Sequence, residues 1–185
     1  MGCNQTGIEV FPIRFDTPYI VDWITGTINS PVCGNLMLND VYNRRILELA
    51  GGIPRLGRLD SPDASATAHS KLCGSTVTID LKMDGDTVTD FAHEVKACAL
   101  GQASSSIMAR NVVGAKADEL RGLRDTVRKM LKENGAPPAN GKWADIAVLE
   151  PVRDYKARHA STLLTFDAVV DAIGQIEGKR RGRTG

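Results

Sequence analysis

A predicted β-hairpin that runs directly into a helix constrains the fold of this chain more than any other feature. Thr76–Met83 alternates polar and apolar side chains, which is the period of a strand with one buried face. Asp84-Gly85-Asp86 follows with turn chemistry, because glycine tolerates the positive φ that a tight turn needs. Thr87–Lys96 then returns as an antiparallel strand, and a helical pattern begins soon after it. Since a hairpin brings its two ends together, the segments that flank it are predicted to be neighbours.

Two cysteines flank this hairpin, Cys73 before its first strand and Cys98 after its second. Paired thiols in a chain without secretory features are more often metal-binding or redox-active than disulfide-bonded. Cys98 also stands where a strand gives way to a helix, and the positive end of a helix dipole favours the thiolate. Cys98 taken alone is more often a buried, inert side chain, whereas a Cys-Gly pair on a loop, as at Cys73, is a common way to present a sulfur. Together they are a candidate metal or redox site.

The elements predicted around the hairpin make an α+β fold. Apolar residues recur at helical spacing in several segments, and glycines and prolines separate these segments. We predict helices over 41–50, between the serines at 104–106 and Gly114, over 118–134 and over 161–177, a strand over 66–72, and an apolar segment of undecided type over 146–151. The predicted architecture is a small antiparallel β-sheet of about three strands packed against several α-helices.

The two ends of the chain differ in composition from its middle. Residues 1–36 carry three prolines and no sustained periodicity, so we expect a flexible extension, or an upstream start with Met37 as the true initiator. Residues 37–178 are predicted to form the folded domain. Residues 179–185 form a basic, glycine-containing tail that we expect to be solvated.

Composition and charge argue against several classes of protein. The 185 residues carry a formal net charge of +1, whereas a dedicated nucleic-acid binder normally shows a basic face. No apolar run approaches the roughly 18 residues that a membrane-spanning helix needs. The N-terminus lacks the basic and apolar regions of a secretory signal. We therefore expect a cytoplasmic protein with reduced cysteines and with no nucleic-acid or membrane partner.

Three histidines and one serine carry further chemistry. His159 precedes the last predicted helix, and imidazole is a good ligand for zinc or iron, although a histidine in this position is also often simply solvated. His93 lies within the second hairpin strand and is expected to face solvent or the far side of the sheet, whereas His69 lies in a less defined segment. Ser161 is expected to cap the last helix. No phosphate-loop glycine spacing and no serine-nucleophile elbow is present.

At these residues the chain resembles a known family. Leu72-Cys73-Gly74, the hairpin with its Asp84-Gly85-Asp86 turn, Cys98 and Ala103-Ser104-Ser105-Ser106 resemble the iron–sulfur cluster assembly scaffolds of the NifU/IscU/SufU type, that is, the NifU-like N-terminal domain, over roughly residues 38–177. The resemblance implies a SufE/NifU-like α+β fold and a scaffold rather than an enzyme. It implies that sulfur arrives as persulfide from a cysteine desulfurase and that a nascent iron–sulfur cluster is passed to acceptor proteins.

The resemblance also implies a ligand set, from which this chain departs. Three cysteines, an aspartate and sometimes a histidine hold a cluster or a zinc ion in that family. Cys73 and Cys98 match the first two cysteines, whereas Ser75 stands at the aspartate position. The third cysteine position falls on Ser161, or on the preceding alanine with a shift of one residue, next to His159. The implied ligands of a transient iron–sulfur cluster, or of a zinc or iron ion, are therefore Cys73 and Cys98, with His159 as a candidate third.

Three interpretations of function follow. In the first, the chain is a divergent scaffold, and a second chain or a partner completes the ligand set around Cys73 and Cys98. In the second, the chain is a degenerate homologue that keeps the fold as a metal-free protein-interaction module. In the third, the chain is a sulfur relay in which Cys98 accepts persulfide from the desulfurase and Cys73 resolves it.

Overall fold

The computed structural model of the chain describes residues 44–183. The predicted extension over residues 1–36, the start at Met37 and the first residues of the first predicted helix lie outside the described residues. Within the described part, no helix is both long enough and apolar enough to cross a membrane.

Three antiparallel strands form one sheet in the order β1-β2-β3. The strands are β1 (Ala64–His69), β2 (Thr76–Asp84) and β3 (Thr87–Lys96). Asp84 pairs with Thr87 at the hairpin turn, and Thr76 pairs with Lys96 at the open end. The predicted hairpin and the α+β fold class are confirmed.

The first strand differs from the predicted one. β1 begins at Ala64 and ends at His69, rather than covering 66–72. The strand stops because the chain turns back at Ser70, whose backbone N–H donates to the carbonyl oxygen of Ser75 at 2.9 Å. Residues 70–75 thereby close into a loop between β1 and β2, and Cys73 belongs to this loop.

Two of the helices begin earlier than predicted. The helices are α1 (44–51), α2 (Ala99–Asn111), α3 (Ala117–Lys132) and α4 (Lys156–Arg181), and a 3-10 segment (Ala144–Asp154) precedes α4. The serines at 104–106 are buried in the middle of α2 instead of preceding it. Ser161 lies inside α4 and does not cap it, since α4 starts at Lys156. Small and polar residues at both places look like helix boundaries, but tertiary packing buries them inside helices.

α4 is the central helix of the fold. It packs against β1, β2, α2 and α3. Phe166 and Ile173 on α4 are completely buried, as are Val77, Ile79 and Leu81 on the predicted apolar face of β2. Burial of apolar area stabilises by about 25 cal/mol per Å², so this contact between helix and sheet is a main source of stability.

The first three residues of the predicted basic tail belong to the last turn of α4, which extends through Arg181. Lys179 Nζ donates to the carbonyl oxygen of Asp63 at 2.7 Å. Arg180 donates to the carbonyl oxygens of Met83, at 2.8 Å, and Gly85. The end of α4 is therefore fastened over the hairpin turn. Its start lies at the open end of the hairpin, so α4 spans the sheet from one end to the other.

His93 is buried in the core, and the prediction that it faces solvent or the far side of the sheet is wrong. It pairs with Ile79, and its ring packs edge-on against Phe91 at 5.0 Å between centroids. Its Nε2 atom donates to the carbonyl oxygen of Pro54 at 3.0 Å. A segment far away in the sequence supplies this acceptor, because residues 55–57 run alongside β3 with Gly57 N–H donating to the His93 carbonyl at 2.9 Å.

The burial of His93 predicts a specific dependence of stability on pH. Desolvation lowers the pKa of His93 below its usual range, although the bond to Pro54 opposes this shift. As the pH falls, His93 therefore takes up a proton in the unfolded chain before it does so in the folded protein. The stability contributed by the neutral, buried imidazole is fully present above the unfolded pKa of about 6.5 and is lost as the pH falls below it.

We expect the free energy of unfolding of the wild type to fall more steeply than that of His93→Gln between pH 7.5 and pH 5.5. Glutamine keeps a side-chain N–H donor but cannot take up the proton. Urea unfolding at several pH values measures both slopes. Equal slopes for the two proteins would contradict the assignment of a buried neutral imidazole, since the two proteins differ at this side chain alone.

Candidate functional site

A tight loop presents Cys73 at the open end of the hairpin. The loop is closed by Gly74, whose N–H donates to the Ser70 carbonyl oxygen at 2.9 Å. Gly74 has a φ of +69°, a left-handed conformation that glycine adopts without strain. Cys73 is exposed and is a free cysteine. The Cys-Gly pair in the sequence therefore serves to turn a sulfur towards the outside of the protein.

Two serine hydroxyls lie against the Cys73 sulfur. Sγ is 3.0 Å from Ser75 Oγ and 3.3 Å from Ser70 Oγ. A hydrogen bond from the Ser70 hydroxyl, followed in size of effect by one from the Ser75 hydroxyl, lowers the pKa of Cys73 to about 7. Hydroxyl groups that donate to sulfur stabilise the thiolate. The thiolate form of Cys73 is therefore more accessible near neutral pH than that of an ordinary cysteine.

Cys98 occupies the position before the first residue of α2, as the sequence indicated. It is half-buried, and its Sγ lies 3.5 Å from Ser161 Oγ on α4. Burial opposes ionisation of this thiol, but the Ser161 hydroxyl and the backbone N–H groups of Gly101 and Leu100 outweigh burial and lower the pKa of Cys98. Unpaired N–H groups of this kind are available only in the first turn of a helix.

A close approach between α2 and α4 brings Cys98 and Ser161 together. A Cβ atom added at Gly101 would lie 3.1 Å from the Ser161 carbonyl oxygen and 2.7 Å from Ala97 Cβ, so only glycine fits at this crossing. Ser161 is almost completely buried there, and its hydroxyl donates to the Arg158 carbonyl oxygen at 2.9 Å. Of the two positions considered for the family's third cysteine, Ser161 is thus the one that lies beside Cys98.

Arg158 is the charged residue that both thiols share. It is exposed on the first turn of α4, one turn before Ser161. Its positive charge contributes to lowering the pKa of Cys73 and the pKa of Cys98, after the hydrogen bonds described above. The pairing of Thr76 with Lys96 brings the segments that carry Cys73 and Cys98 to one end of the molecule, and the contact between Cys98 and Ser161 brings the start of α4 to the same end. Sequence analysis did not identify Arg158 or Ser70 as site residues. Their only signal in the sequence is that Arg158 lies three residues before Ser161 and Ser70 lies three residues before Cys73.

His159 is buried and has a structural role. Its side chain is 8% exposed, so the solvated alternative is wrong. Its Nε2 atom lies 3.1 Å from the Val152 carbonyl oxygen and 3.0 Å from the Arg153 carbonyl oxygen. Carbonyl oxygens only accept, so Nε2 carries the proton and fastens the start of α4 to the 3-10 segment. A ligand role for His159 stays a prediction. To bind a metal, His159 would have to use its other ring nitrogen, Nδ1, or lose the hydrogen bonds of Nε2 to Val152 and Arg153.

These residues do not fit a resident zinc ion. A structural zinc ion takes four nitrogen, sulfur or carboxylate ligands. Among residues 44–183, no group of three His, Cys, Asp or Glu side chains lies close enough together to hold a metal ion. What the site does offer is two ionisable thiols, three hydroxyl groups beside them and one guanidinium.

The crossing of α2 and α4 predicts opposite effects for two glycine-to-alanine substitutions. We expect Gly101→Ala to destabilise the protein by about 1–3 kcal/mol, because its methyl group has no room. Gly122→Ala on the exposed face of α3 is the matched control and should stabilise by about 0.5–1 kcal/mol. Denaturant unfolding measures both. A neutral Gly101→Ala would contradict the tight crossing.

The hydroxyl contacts predict which variants change thiol ionisation. In Ser70→Ala/Ser75→Ala we expect the pKa of Cys73 to rise from about 7 towards its ordinary value, with the pKa of Cys98 unchanged. In Arg158→Gln both pKa values should rise. The pH dependence of alkylation at each cysteine, followed by peptide mass spectrometry, measures these shifts. An unchanged Cys73 profile in the double serine variant would contradict the assignment.

Comparison with known proteins agrees with the fold and identifies the family. The family model described as the NifU-like N terminal domain matches residues 41–162. The iron-sulfur cluster assembly scaffold protein IscU of Thermotoga maritima is 26% identical over 136 residues, which are 74% of this chain and 94% of that protein. The zinc-dependent sulfurtransferase SufU of Bacillus subtilis is 24% identical over 110 residues, which are 60% of this chain and 74% of that protein.

A solved structure gives the same result. The N-terminal part of a nitrogen-fixing NifU-like protein from Brucella abortus superposes with a TM-score of 0.74 and is 70% identical, over 77% of this chain and 99% of that chain. The resemblance stated from the residues is confirmed, and the chain belongs to the family of NifU-like N-terminal domains.

Proposed function

We propose that this protein takes part in iron–sulfur cluster assembly as a scaffold that holds a nascent cluster at Cys73 and Cys98 and passes it to acceptor proteins. The observation that carries the proposal is the placement of two thiols with lowered pKa values at one end of a fold whose relatives include a protein named as a cluster assembly scaffold. Thiolates are the usual protein ligands of iron–sulfur clusters.

The geometry suits transient holding better than permanent binding. Cys73 is exposed on a short loop, so that its sulfur is accessible to a donor and to an acceptor. Cys98 is fixed by α2 and by its contact with Ser161. Arg158 supplies a positive charge near both sulfurs and thereby offsets the negative charge of a thiolate-bound cluster. An exposed ligand on a loop and a half-buried ligand fixed by helix packing would allow a cluster to be bound and then released.

The proposed partners follow from this chemistry. A cysteine desulfurase would supply sulfur, and apoproteins that lack their cluster would receive it, in the cytoplasm and without turnover of a substrate by this chain. Leu72 precedes Cys73 and its side chain is 79% exposed, which gives a partner protein an apolar contact beside the reactive sulfur. No nucleic-acid or membrane partner is proposed.

Anaerobic reconstitution with ferrous iron, sulfide and a small thiol tests the scaffold proposal. We expect the wild type to take up iron and sulfide in equal amounts and Cys73→Ser/Cys98→Ser to take up neither. His159→Gln is the matched control: it should keep the cluster and lose thermal stability, because the bonds to Val152 and Arg153 are weakened. Equal iron content in the wild type and the double cysteine variant would reject the proposal and favour a metal-free interaction module.

A second candidate function is a sulfur relay, favoured by the low pKa and the exposure of Cys73. The Cys73 thiolate would attack the outer sulfur of the desulfurase persulfide. A sulfur–sulfur bond then forms on Cys73, the donor bond breaks, and the donor cysteine leaves as a thiolate with no net oxidation. These features favour Cys73 as the acceptor, whereas the sequence analysis assigned this role to Cys98.

Peptide mass spectrometry after incubation with a desulfurase and cysteine tests the relay. We expect one added sulfur atom on the Cys73 peptide, and less of this adduct in Ser70→Ala/Ser75→Ala at pH 7 because the thiolate fraction falls. An adduct on Cys98 alone would restore the original assignment, and no adduct on either cysteine would remove the relay from consideration.

A further inference from the structure

We propose that a cleft at the far end of α4 binds an acidic segment of a partner protein. The cleft has a volume of about 390 Å³ and lies where the end of α4 meets the end of β2 and the residues just before β1. It is separate from the thiol site, because Ser161 and Lys179 lie about 27 Å apart on the same helix at a rise of about 1.5 Å per residue. The proposal therefore does not rest on the scaffold function.

Part of the cleft is apolar. Met83 on β2 and Ile176 on α4 line it, and both are core residues, so that only their edges reach the cleft. Pro62, just before β1, adds further apolar surface. A binding site of this kind favours an occupant that brings an apolar side chain as well as charge.

Two cationic side chains of the cleft have no carboxylate partner in the described part of the chain. Lys179 and Arg183 line the cleft and are exposed. Lys179 Nζ donates to the backbone carbonyl oxygen of Asp63 at 2.7 Å. This neutral acceptor orients the ammonium group without cancelling its charge. The positive charges of Lys179 and Arg183 are therefore available to the carboxylates of a partner.

The lining as a whole carries a net positive charge. Its acidic residue is Asp63, whose carboxylate accepts from the backbone N–H of Met83 at 2.8 Å and is thereby held against β2. Three cationic side chains face this one carboxylate, since Arg180 lines the cleft together with Lys179 and Arg183. A cleft lined mainly by one sign of charge attracts occupants of the opposite sign.

Cationic residues at the end of a helix do not by themselves indicate a binding site. The helix dipole stabilises positive side chains in the last turn, and α3 also carries two of them there, Lys129 and Lys132. Those two residues do not line the cleft. The end of α4 is different because its cationic side chains border a cleft that also has an apolar part.

An acidic protein segment suits this cleft better than a nucleic acid does. The adjacent hairpin turn carries the exposed residues Asp84 and Asp86, of which Asp86 pairs with Lys116. A phosphate backbone needs a continuous basic surface, and these carboxylates interrupt it. A short peptide can instead place carboxylates at Lys179 and Arg183 and an apolar side chain between them. Such a partner leaves the thiols at the other end of α4 accessible.

Titration with a defined peptide tests the proposal. The probe is a short peptide with glutamates on both sides of a leucine, added to the isotope-labelled full chain, and the chemical shifts of the backbone amides locate the site. We expect shifts at Met83, Ile176 and Lys179, and weaker binding at higher ionic strength. In Lys179→Gln/Arg183→Gln the dissociation constant should rise about threefold to tenfold, because each exposed ion pair is weak.

Two further variants keep the test independent of folding. Lys129→Gln/Lys132→Gln is the matched control, since it removes two charges from the last turn of another helix, and it should bind the peptide as the wild type does. Arg183→Gln alone lies beyond the end of α4 and keeps the bond from Lys179 to Asp63, so it should show part of the loss without a change in thermal stability.

Four outcomes would overturn the proposal. They are equal weakening in the two double variants, chemical shift changes confined to residues outside the cleft, no binding at millimolar peptide, and displacement of the peptide by a lower concentration of inorganic phosphate or of a single-stranded oligonucleotide. The last outcome would assign the cleft to phosphate groups instead of to an acidic protein segment.

Discussion

The contact between the first turn of α2 and the second turn of α4 is the constraint on which the rest of the site depends. Gly101 allows the helices to approach until its hydrogen faces the Ser161 carbonyl oxygen. This approach places Cys98 at the end of β3, at the start of α2 and against α4 at the same time. The hairpin fixes the position of Cys73, because the loop that carries it ends at Thr76, and Thr76 pairs with Lys96 at the end of β3, two residues before Cys98. The thiol site is thus a consequence of helix packing and strand register together.

Local patterns predicted much of this arrangement, because strand alternation and glycine turns act over short distances. Val77, Ile79 and Leu81 follow the predicted period, and the hairpin turn stands where it was expected. The positions that sequence reasoning missed depend on distant segments. His93 is buried because residues 54–57 close over β3, and Ser161 is inside a helix because Tyr155 and Lys156 start α4 earlier.

At the thiol site, too, local patterns were predictable from the sequence, whereas contacts with distant segments were not. The sequence was sufficient to predict that Cys73 and Cys98 lie at one end of the molecule, whereas the assignment of Ser75 and Ser161 to ligand positions of the family stays a prediction. It was not sufficient to assign His159, whose bonds to Val152 and Arg153 depend on how the 3-10 segment folds back. Arg158 was also not predictable, since an exposed arginine has no pattern of its own and its importance comes from the two sulfurs near it.

The chain has the fold of its family, and the structure places hydroxyl groups beside both of its described cysteines. X-ray absorption at the iron edge of the reconstituted wild-type protein tests this account most directly. We expect every protein-derived neighbour of iron to be sulfur, at the distances of a thiolate-bound cluster. A nitrogen or oxygen neighbour that disappears in His159→Gln or in Ser75→Ala/Ser161→Ala would contradict it.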